Sequence, residues 1–164
     1  MATIKFFTFS DMLEESKATV LCHQVNCMGV MGSGIAKSIK ERFPEVYTAY
    51  LQSYKTGNLK LGDCQVIRLS ESKHNVWYVA NLVGQYNYGR EPGKRYTSYD
   101  GLYNALEKLS KFCIAHSEVT SVAFPYKFGC DRGGANWKIV LTMIEEAFKD
   151  FNGTIEIHSL NDID

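Results

Sequence analysis

The chain has 164 residues, enough for one domain with a substantial core, and we expect a single domain over residues 1–164. Its 18 Lys and Arg residues balance 18 Asp and Glu residues, so no overall field attracts nucleic acid or an anionic membrane. No apolar stretch is long enough to span a bilayer, and the N-terminus lacks a signal-peptide pattern. These features predict a cytoplasmic protein without a membrane or nucleic-acid partner, and a monomer is the expected state.

The cysteines are odd in number, stand mostly in apolar segments and form no CxxC pair. They are Cys22, Cys27, Cys64, Cys113 and Cys130. This pattern predicts buried thiols in a reducing compartment and gives no sign of a zinc site.

Strand and helix patterns alternate along the chain. A nearly continuous apolar run from Thr19 to Val25 is typical of a buried strand, and apolar residues at helical spacing predict helices on both sides of Pro44. Other strands are predicted at residues 4–9, 64–69, 76–83, 119–126 and 154–160, with helices after residues 101 and 136. The alternation predicts a three-layer α/β/α domain with a mixed, mostly parallel central sheet.

The segment from His23 to Ala36 ends the second predicted strand in a glycine-rich turn that opens into a helix. Gly29, Gly32 and Gly34 permit positive φ and a close approach of the backbone, and the N–H groups after Ser33 lack intrahelical partners. Phosphate commonly binds at such a place. Because the order G-x-x-G-x-G matches neither the dinucleotide fingerprint nor a P-loop, a tight strand-to-helix connection is the alternative.

A second glycine turn, Gly129–Gly134, encloses Cys130, Asp131 and Arg132 ahead of another helix. Ligands of α/β sheets bind beyond the carboxyl ends of the strands, so both turns and the loop after residue 83 are expected to converge on one cleft. Two such turns suit one elongated ligand with two anionic groups. The alternative is that both are packing turns.

Four side chains near these turns are candidates for chemistry, each with a structural alternative. His23 can move protons near neutral pH or be a buried neutral histidine. Asn26 can pair with ribose hydroxyls or close an Asx-turn. Asp131 can orient water or pair with Arg132 on the surface, and Asp11 can accept from an amino group such as that of adenine or cap a helix.

The loop between residues 84 and 99 contains tyrosines at positions 86, 88, 96 and 99. An aromatic lid over a ligand can be formed by these four side chains, Tyr86, Tyr88, Tyr96 and Tyr99. The alternative is a loop packed by its own side chains.

The segments HQVNCMGVMGSGIAKSIKERFP, VANLVGQYNYG and FPYKFGCDRGGANWKIVLTMIEEAF together resemble the macrodomains. The similarity is greatest to the small single-domain ADP-ribose-1″-phosphate processing branch, which is related to terminal ADP-ribose glycohydrolase and DNA ADP-ribosyl-glycohydrolase macrodomains. The pairing of NCxGxMGxGIA with PxxxGCxxGGxxW carries the resemblance, which covers nearly the whole chain. It implies a mixed sheet of about six strands between helices and a cleft for ADP-ribose that needs neither a metal nor another cofactor.

The resemblance also implies roles for individual residues. Asp11 matches an aspartate that contacts the adenine amino group, Asn26 lies among residues facing the distal ribose, and His23 matches a histidine of yeast-type phosphatases. The two turns supply the remaining ligand-binding residues, which are Gly32, Ser33, Gly34, Ile35, Phe128, Gly129, Cys130, Arg132, Gly133 and Gly134.

The chain departs from related macrodomains at several positions. Those that release ADP-ribose from glutamate or DNA carry a lysine in the stretch corresponding to residues 81–84, where this chain has NLVG. The glutamate-releasing type also has an aspartate near the position of Gly133, and Ser10 replaces the usual glycine before Asp11.

We therefore predict hydrolysis of ADP-ribose 1″-phosphate to ADP-ribose and phosphate, with His23 and Asp131 as catalytic residues. One alternative is a hydrolase that removes ADP-ribose from protein or nucleic acid. Another is a module that binds or sequesters ADP-ribose without catalysis.

Overall fold

The computed structural model describes residues 1–163, in which strands and helices alternate. The strands are β1 (Thr3–Phe7), β2 (Val20–Asn26), β3 (Cys64–Lys73), β4 (Val76–Gln85), β5 (Ser121–Pro125) and β6 (Thr154–His158). The helices are α1 (Met12–Glu15), α2 (Gly34–Arg42), α3 (Pro44–Lys55), α4 (Tyr99–Ala115) and α5 (Trp137–Ala147).

The strands form one six-stranded sheet in the order β1-β6-β5-β2-β4-β3. All neighbouring strands pair in parallel except β3, which pairs antiparallel with β4 at the edge of the sheet. The predicted mixed, mostly parallel sheet is therefore confirmed. No helix within residues 1–163 combines the length and hydropathy that a membrane span requires.

Helices cover both faces of the sheet, which confirms the three layers. One buried cluster packs residues of α4 and α5 on one face, and the other packs residues of α1, α2 and α3 on the opposite face. Strand β2 lies in the middle, with Cys22 in the first cluster and Leu21 in the second. Because both of its faces are buried, β2 has the continuous apolar run seen in the sequence.

Some strand boundaries differ from the prediction. β3 continues to Lys73, beyond the predicted end at residue 69, because it forms a hairpin with β4 in which Lys73 pairs with Val76. His74 and Asn75 make the turn with φ of 51° and 74°. The polar residues of this extension conceal it in the sequence, since an edge strand does not need an apolar pattern.

Candidate functional site

Three loops leave the same edge of the sheet side by side. We call residues 27–33 the first glycine loop, residues 86–98 the tyrosine loop and residues 126–136 the second glycine loop. They follow β2, β4 and β5, and β2 pairs in parallel with both of the other strands. The predicted convergence of the three junctions is thus what the sheet topology produces.

Hydrogen bonds of Asn26 and Tyr50 fix the conformation of the first glycine loop. Asn26 Oδ1 accepts from the N–H of Met28 at 2.9 Å, and its Nδ2 donates to the carbonyl of Val30 at 2.9 Å. The Tyr50 hydroxyl, fully buried, donates to the backbone oxygen of Asn26 at 2.6 Å and to Oδ1 at 2.8 Å. Asn26 therefore closes the Asx-turn of its own loop, and its contact with a ribose stays a prediction.

The Tyr50→Phe variant is expected to lose about 1–3 kcal/mol of unfolding free energy, because the buried oxygens of Asn26 lose the hydrogen bonds that the Tyr50 hydroxyl donates. Urea denaturation at pH 7 measures this change. The matched control is Tyr47→Phe, since the Tyr47 hydroxyl has no protein partner within residues 1–163, and its free energy is expected to stay within about 0.5 kcal/mol of the parent. Equal stability of the two variants would contradict the anchoring role of Tyr50.

The end of the first glycine loop offers unpaired amide groups. Gly29 and Gly34 adopt φ of 75° and 60°, as predicted, whereas Gly32 is not in the left-handed region. Ser33 is the N-cap of α2 but its side chain makes no capping hydrogen bond. Within residues 1–163, the N–H groups of Gly32 to Ile35 donate to no protein acceptor. These donors lie at the positive end of the helix dipole, which favours an anion.

Thr97 ties the second glycine loop to the tyrosine loop. Its hydroxyl donates to the carbonyl of Gly129 at 2.7 Å, its N–H donates to the carbonyl of Gly133 at 2.9 Å, and it accepts from Gln24 Nε2 at 2.8 Å. Gln24 also donates to Gln85 Oε1 at 2.6 Å. The sequence reasoning missed Thr97, which carries no local signal, and Gln24, whose amide in an apolar strand was the available sign.

The second glycine loop supplies amides from the loop itself and not from the helix that follows. α5 begins at Trp137, and its N-cap Asn136 accepts from the N–H of Lys138 at 2.9 Å, so this helix end is already capped. Within residues 1–163, the N–H groups of residues 131–134 donate to no protein acceptor. The amides that remain free on this side therefore belong to the loop ahead of Asn136, and their contact with a ligand stays a prediction.

The His23 side chain is buried in strand β2 and is not exposed at the surface of the site. Its ring is fully buried, and Nε2 donates to Asn81 Oδ1 at 2.5 Å. Asn81 Nδ2 donates in turn to Gln65 Oε1 at 3.0 Å, which fixes the orientation of the amide. Nδ1 has no partner within residues 1–163. Burial lowers the pKa of His23 to about 4, with the Asn81 hydrogen bond opposing the shift, so the ring is neutral at pH 7.

Asp11 follows β1 at the same edge of the sheet and caps α1. Its Oδ1 accepts from the N–H of Leu13 at 3.0 Å, while Oδ2 has no partner within residues 1–163. The helix-cap alternative is therefore realised, and one carboxylate oxygen is left for a ligand.

Asp131 and Arg132 line an open cavity of about 440 Å³ between the second glycine loop and the tyrosine loop. Both side chains are exposed. Arg90, Glu91 and Lys94 of the tyrosine loop line the same cavity. The cavity thus combines basic groups that can hold a phosphate with carboxylates that can orient water or accept a proton.

The remaining predicted ligand residues have structural contacts as well. Phe128 is buried against Phe124, with ring centroids 5.2 Å apart, so it anchors the second glycine loop. Burial raises the pKa of the Cys130 thiol to about 11, which keeps it protonated and poorly nucleophilic at pH 7. Ile35 packs against the core beneath α2.

The tyrosines divide into two groups. Tyr86 and Tyr88 are exposed at the start of the loop, by 65% and 52%. The Tyr99 hydroxyl accepts from the N–H of Asn136 at 2.9 Å, and Lys94 lies 5.0 Å from the Tyr96 ring centroid. The loop is therefore packed partly by its own side chains, whereas Tyr86 and Tyr88 stay exposed and Tyr96 lines the cavity.

The fold and these loops together define an α/β protein with two glycine loops that follow neighbouring parallel strands and carry N–H groups without protein acceptors in residues 1–163. Comparison of the sequence with known families gives a match to the family described as Macro domain over residues 22–144. The chain belongs to this macrodomain family.

Relatives and solved structures agree with this assignment. The chain is 33% identical over 132 residues to "DNA ADP-ribosyl glycohydrolase" of Mycobacterium tuberculosis, a match that covers 79% of this chain and 34% of the relative. It is 30% identical over 87 residues to "ADP-ribose 1''-phosphate phosphatase" of Meyerozyma guilliermondii, covering 47% of this chain and 50% of the relative. The "Macrodomain of Mycobacterium tuberculosis DarG" superposes with a TM-score of 0.81 at 26% identity, covering 97% of this chain and 98% of that one. The chain spans about a third of the length of the glycohydrolase relatives.

Proposed function

We propose that the chain binds ADP-ribose along the edge of the sheet where the two glycine loops meet. The observation that carries the proposal is the pair of neighbouring loops after β2 and β5, whose N–H groups at residues 32–35 and 131–134 lack protein acceptors. Unpaired amides on adjacent loops suit a diphosphate, which presents acceptor oxygens on both sides. The names of the macrodomain relatives, which refer to ADP-ribose, support the same ligand.

We further propose that the chain hydrolyses ADP-ribose 1″-phosphate. Water attacks phosphorus, the bond from phosphorus to the 1″ oxygen breaks, and that oxygen takes a proton, which gives ADP-ribose and inorganic phosphate. Arg90, Lys94 and Arg132 around the cavity support this choice, since they can stabilise charge on the transferred phosphate. The absence of a lysine from residues 81–84 also favours it over release by a lysine-dependent mechanism.

His23 and Asp131 are the residues proposed to move protons. Asp131 is exposed on the cavity wall, where it can accept a proton from the attacking water. The His23 ring is fully buried and its Nε2 is hydrogen-bonded to Asn81, whereas Asp131 is directly accessible. The decisive test therefore uses Asp131.

The Asp131→Asn variant is expected to lower kcat for phosphate release by about 10²-fold or more, because removing a general base typically costs this much. Its affinity for ADP-ribose, measured by calorimetry, is expected to stay within roughly threefold of the parent. The substitution does not remove a contact that stabilises the bound ligand and the transition state equally. The control is Asp150→Asn, an exposed aspartate between α5 and β6 at the opposite edge of the sheet. Phosphate release at the parent rate in Asp131→Asn would remove Asp131 from the mechanism.

A second candidate function is release of ADP-ribose from DNA. The 33% identity to a protein named DNA ADP-ribosyl glycohydrolase favours it, as do the exposed Tyr86 and Tyr88 beside Arg90, since aromatic and basic side chains suit single-stranded DNA. Parallel assays of ADP-ribosylated DNA and ADP-ribose 1″-phosphate separate the two reactions. Faster release from DNA would replace the phosphatase proposal, and tight binding without either product would indicate a binding module.

A further inference from the structure

A continuous series of side-chain hydrogen bonds joins both ends of the tyrosine loop to the second glycine loop. Gln85 Nε2 donates to the carbonyl of Asn87 at 2.9 Å, and Gln85 Oε1 accepts from Gln24 Nε2 at 2.6 Å. Gln24 Nε2 also donates to Thr97 Oγ1 at 2.8 Å, and the Thr97 hydroxyl donates to the carbonyl of Gly129 at 2.7 Å. We call Gln24, Gln85 and Thr97 the glutamine network.

Each member of the glutamine network has its donor and acceptor roles fixed by its neighbours. The Asn87 carbonyl only accepts, so the Gln85 nitrogen faces it and the Gln85 oxygen faces Gln24. Gln24 therefore presents its amide nitrogen to Thr97. The Thr97 hydroxyl has a single hydrogen, and while its oxygen accepts from Gln24 that hydrogen is directed to the carbonyl of Gly129.

This arrangement leaves one buried acceptor of Gln24 unpaired. Gln24 Oε1 is buried and has no hydrogen-bond partner within residues 1–163. It packs against the backbone of Gly84 and Gly129, where a Cβ would crowd it. A buried oxygen without a donor is unfavourable and uncommon in folded proteins. The orientation of Gln24 is thus set by the two bonds that its nitrogen donates, and not by its oxygen.

The end of the tyrosine loop also holds the second glycine loop through its backbone. The N–H groups of Tyr96 and Thr97 both donate to the carbonyl of Gly133, at 2.8 and 2.9 Å. The carbonyls of Gly129 and Gly133 are therefore both engaged by this segment, while the N–H groups of residues 131–134 have no protein acceptor within residues 1–163. Thr97 is 2% exposed, so it can act on a ligand through the loop and not by direct contact.

We infer that Gln24 and Thr97 are positioning residues for the ligand's phosphates, because they hold the second glycine loop in the conformation that presents the N–H groups of residues 131–134. Backbone N–H groups bind a phosphate well when several of them point at it together. A loop that is already held in this conformation loses less conformational entropy on binding. Breaking the glutamine network therefore weakens the ligand without removing a contact to it. This inference rests on the proposed binding of ADP-ribose.

The first test removes the Thr97 hydroxyl and measures ADP-ribose binding by calorimetry. Thr97→Val keeps the size and branching of the side chain and is expected to bind roughly tenfold more weakly than the parent. Thr97→Ser keeps the hydroxyl and is expected to bind within roughly threefold of the parent. The matched control is Thr19→Val at the other end of β2, since Thr19 is 3% exposed and its hydroxyl accepts from the N–H of Thr120 at 3.3 Å. Its affinity is expected to equal that of the parent.

The second test asks whether Gln24 and Thr97 act as one unit. Gln24→Met keeps an unbranched side chain but removes the amide, and it is expected to weaken ADP-ribose binding at least roughly threefold, because the Thr97 hydroxyl is no longer directed to Gly129. The double variant Gln24→Met, Thr97→Val is expected to bind as weakly as Thr97→Val alone. The hydroxyl through which Gln24 acts is already absent there, so the two losses do not add.

The outcomes separate this inference from the proposed function. Parental affinity in folded Thr97→Val, an equal loss in Thr19→Val or a loss that Thr97→Ser does not restore overturns the inference and leaves the binding proposal standing. Additive losses in the double variant overturn it as well. If Thr97→Val does not fold, Gln24→Met decides, and parental affinity in that variant overturns the inference. If the parent does not bind ADP-ribose, the proposed function fails, and the inference that rests on it fails with it.

Discussion

The Gly133→Ala variant is expected to bind ADP-ribose at least roughly tenfold more weakly than the parent and to unfold several degrees lower. A Cβ at this position would collide with the hydroxyl of Thr97 and the carbonyl of Gly129. Thr97 is 2% exposed and Gly129 contributes backbone, so neither atom can move aside cheaply. Overpacking of this kind costs about 1–3 kcal/mol, and the displaced loop would no longer present the N–H groups of residues 131–134.

Calorimetry with ADP-ribose and a thermal unfolding scan measure both effects. The matched control is Gly32→Ala in the first glycine loop, where a Cβ meets only Val30 Cγ1, at 3.5 Å, and φ is not positive. This variant is expected to unfold at the parent temperature, so any loss of affinity in it reports contact with the ligand alone. Parental affinity in a Gly133→Ala variant that is clearly destabilised would mean that the second glycine loop does not bind the ligand.

The folded protein is expected to lose about 2 kcal/mol of stability between pH 7 and pH 5 because of His23 alone. The pKa of this ring is about 4 in the folded chain and 6.5 as its ordinary value, so the unfolded state binds the proton first. The folded pKa is depressed, and stability is therefore full above pH 6.5 and falls as the pH drops toward 4. The complete loss below that pH is about 3 kcal/mol.

Urea denaturation between pH 7 and pH 5 checks this slope in the parent and in His23→Gln. Glutamine keeps a donor for Asn81 but does not titrate, so its curve is expected to be flatter by the full His23 contribution. The control is His74→Gln in the β3–β4 turn, where the side chain is exposed, with the parental slope expected. Carboxyl groups with lowered pKa, such as Glu45 and Glu156, lose their contribution only below about pH 4.5, outside this range. Equal slopes in parent and His23→Gln would contradict the buried neutral histidine.

Sequence patterns predicted the fold and the two loops because those features depend on local chemistry. The apolar run through Leu21 and Cys22 requires burial on both faces, which only a central strand provides. Gly29 and Gly34 take positive φ where the turns need it, and glycine is the residue that does so without strain.

The roles of individual side chains were harder to predict from the sequence. The sequence allowed a ligand-binding and a structural interpretation for Asn26, Asp11 and His23. In the structure each of the three side chains makes a hydrogen bond within the protein, as the structural interpretation requires. Spacing in the sequence cannot reveal whether an amide or a carboxylate is already paired, since its partner comes from another element. Their ligand roles stay predictions.

The sequence by itself determined that parallel strands end in glycine turns at one edge of a three-layer domain, since hydrophobic periodicity and glycine placement are read residue by residue. Only the tertiary structure decided which groups remain free there. Thr97 reaches the second glycine loop from 32 residues away, and Ser10 meets His158 across 148 residues. Such contacts depend on strand order and on packing between layers, and for that reason no local sequence pattern predicted them.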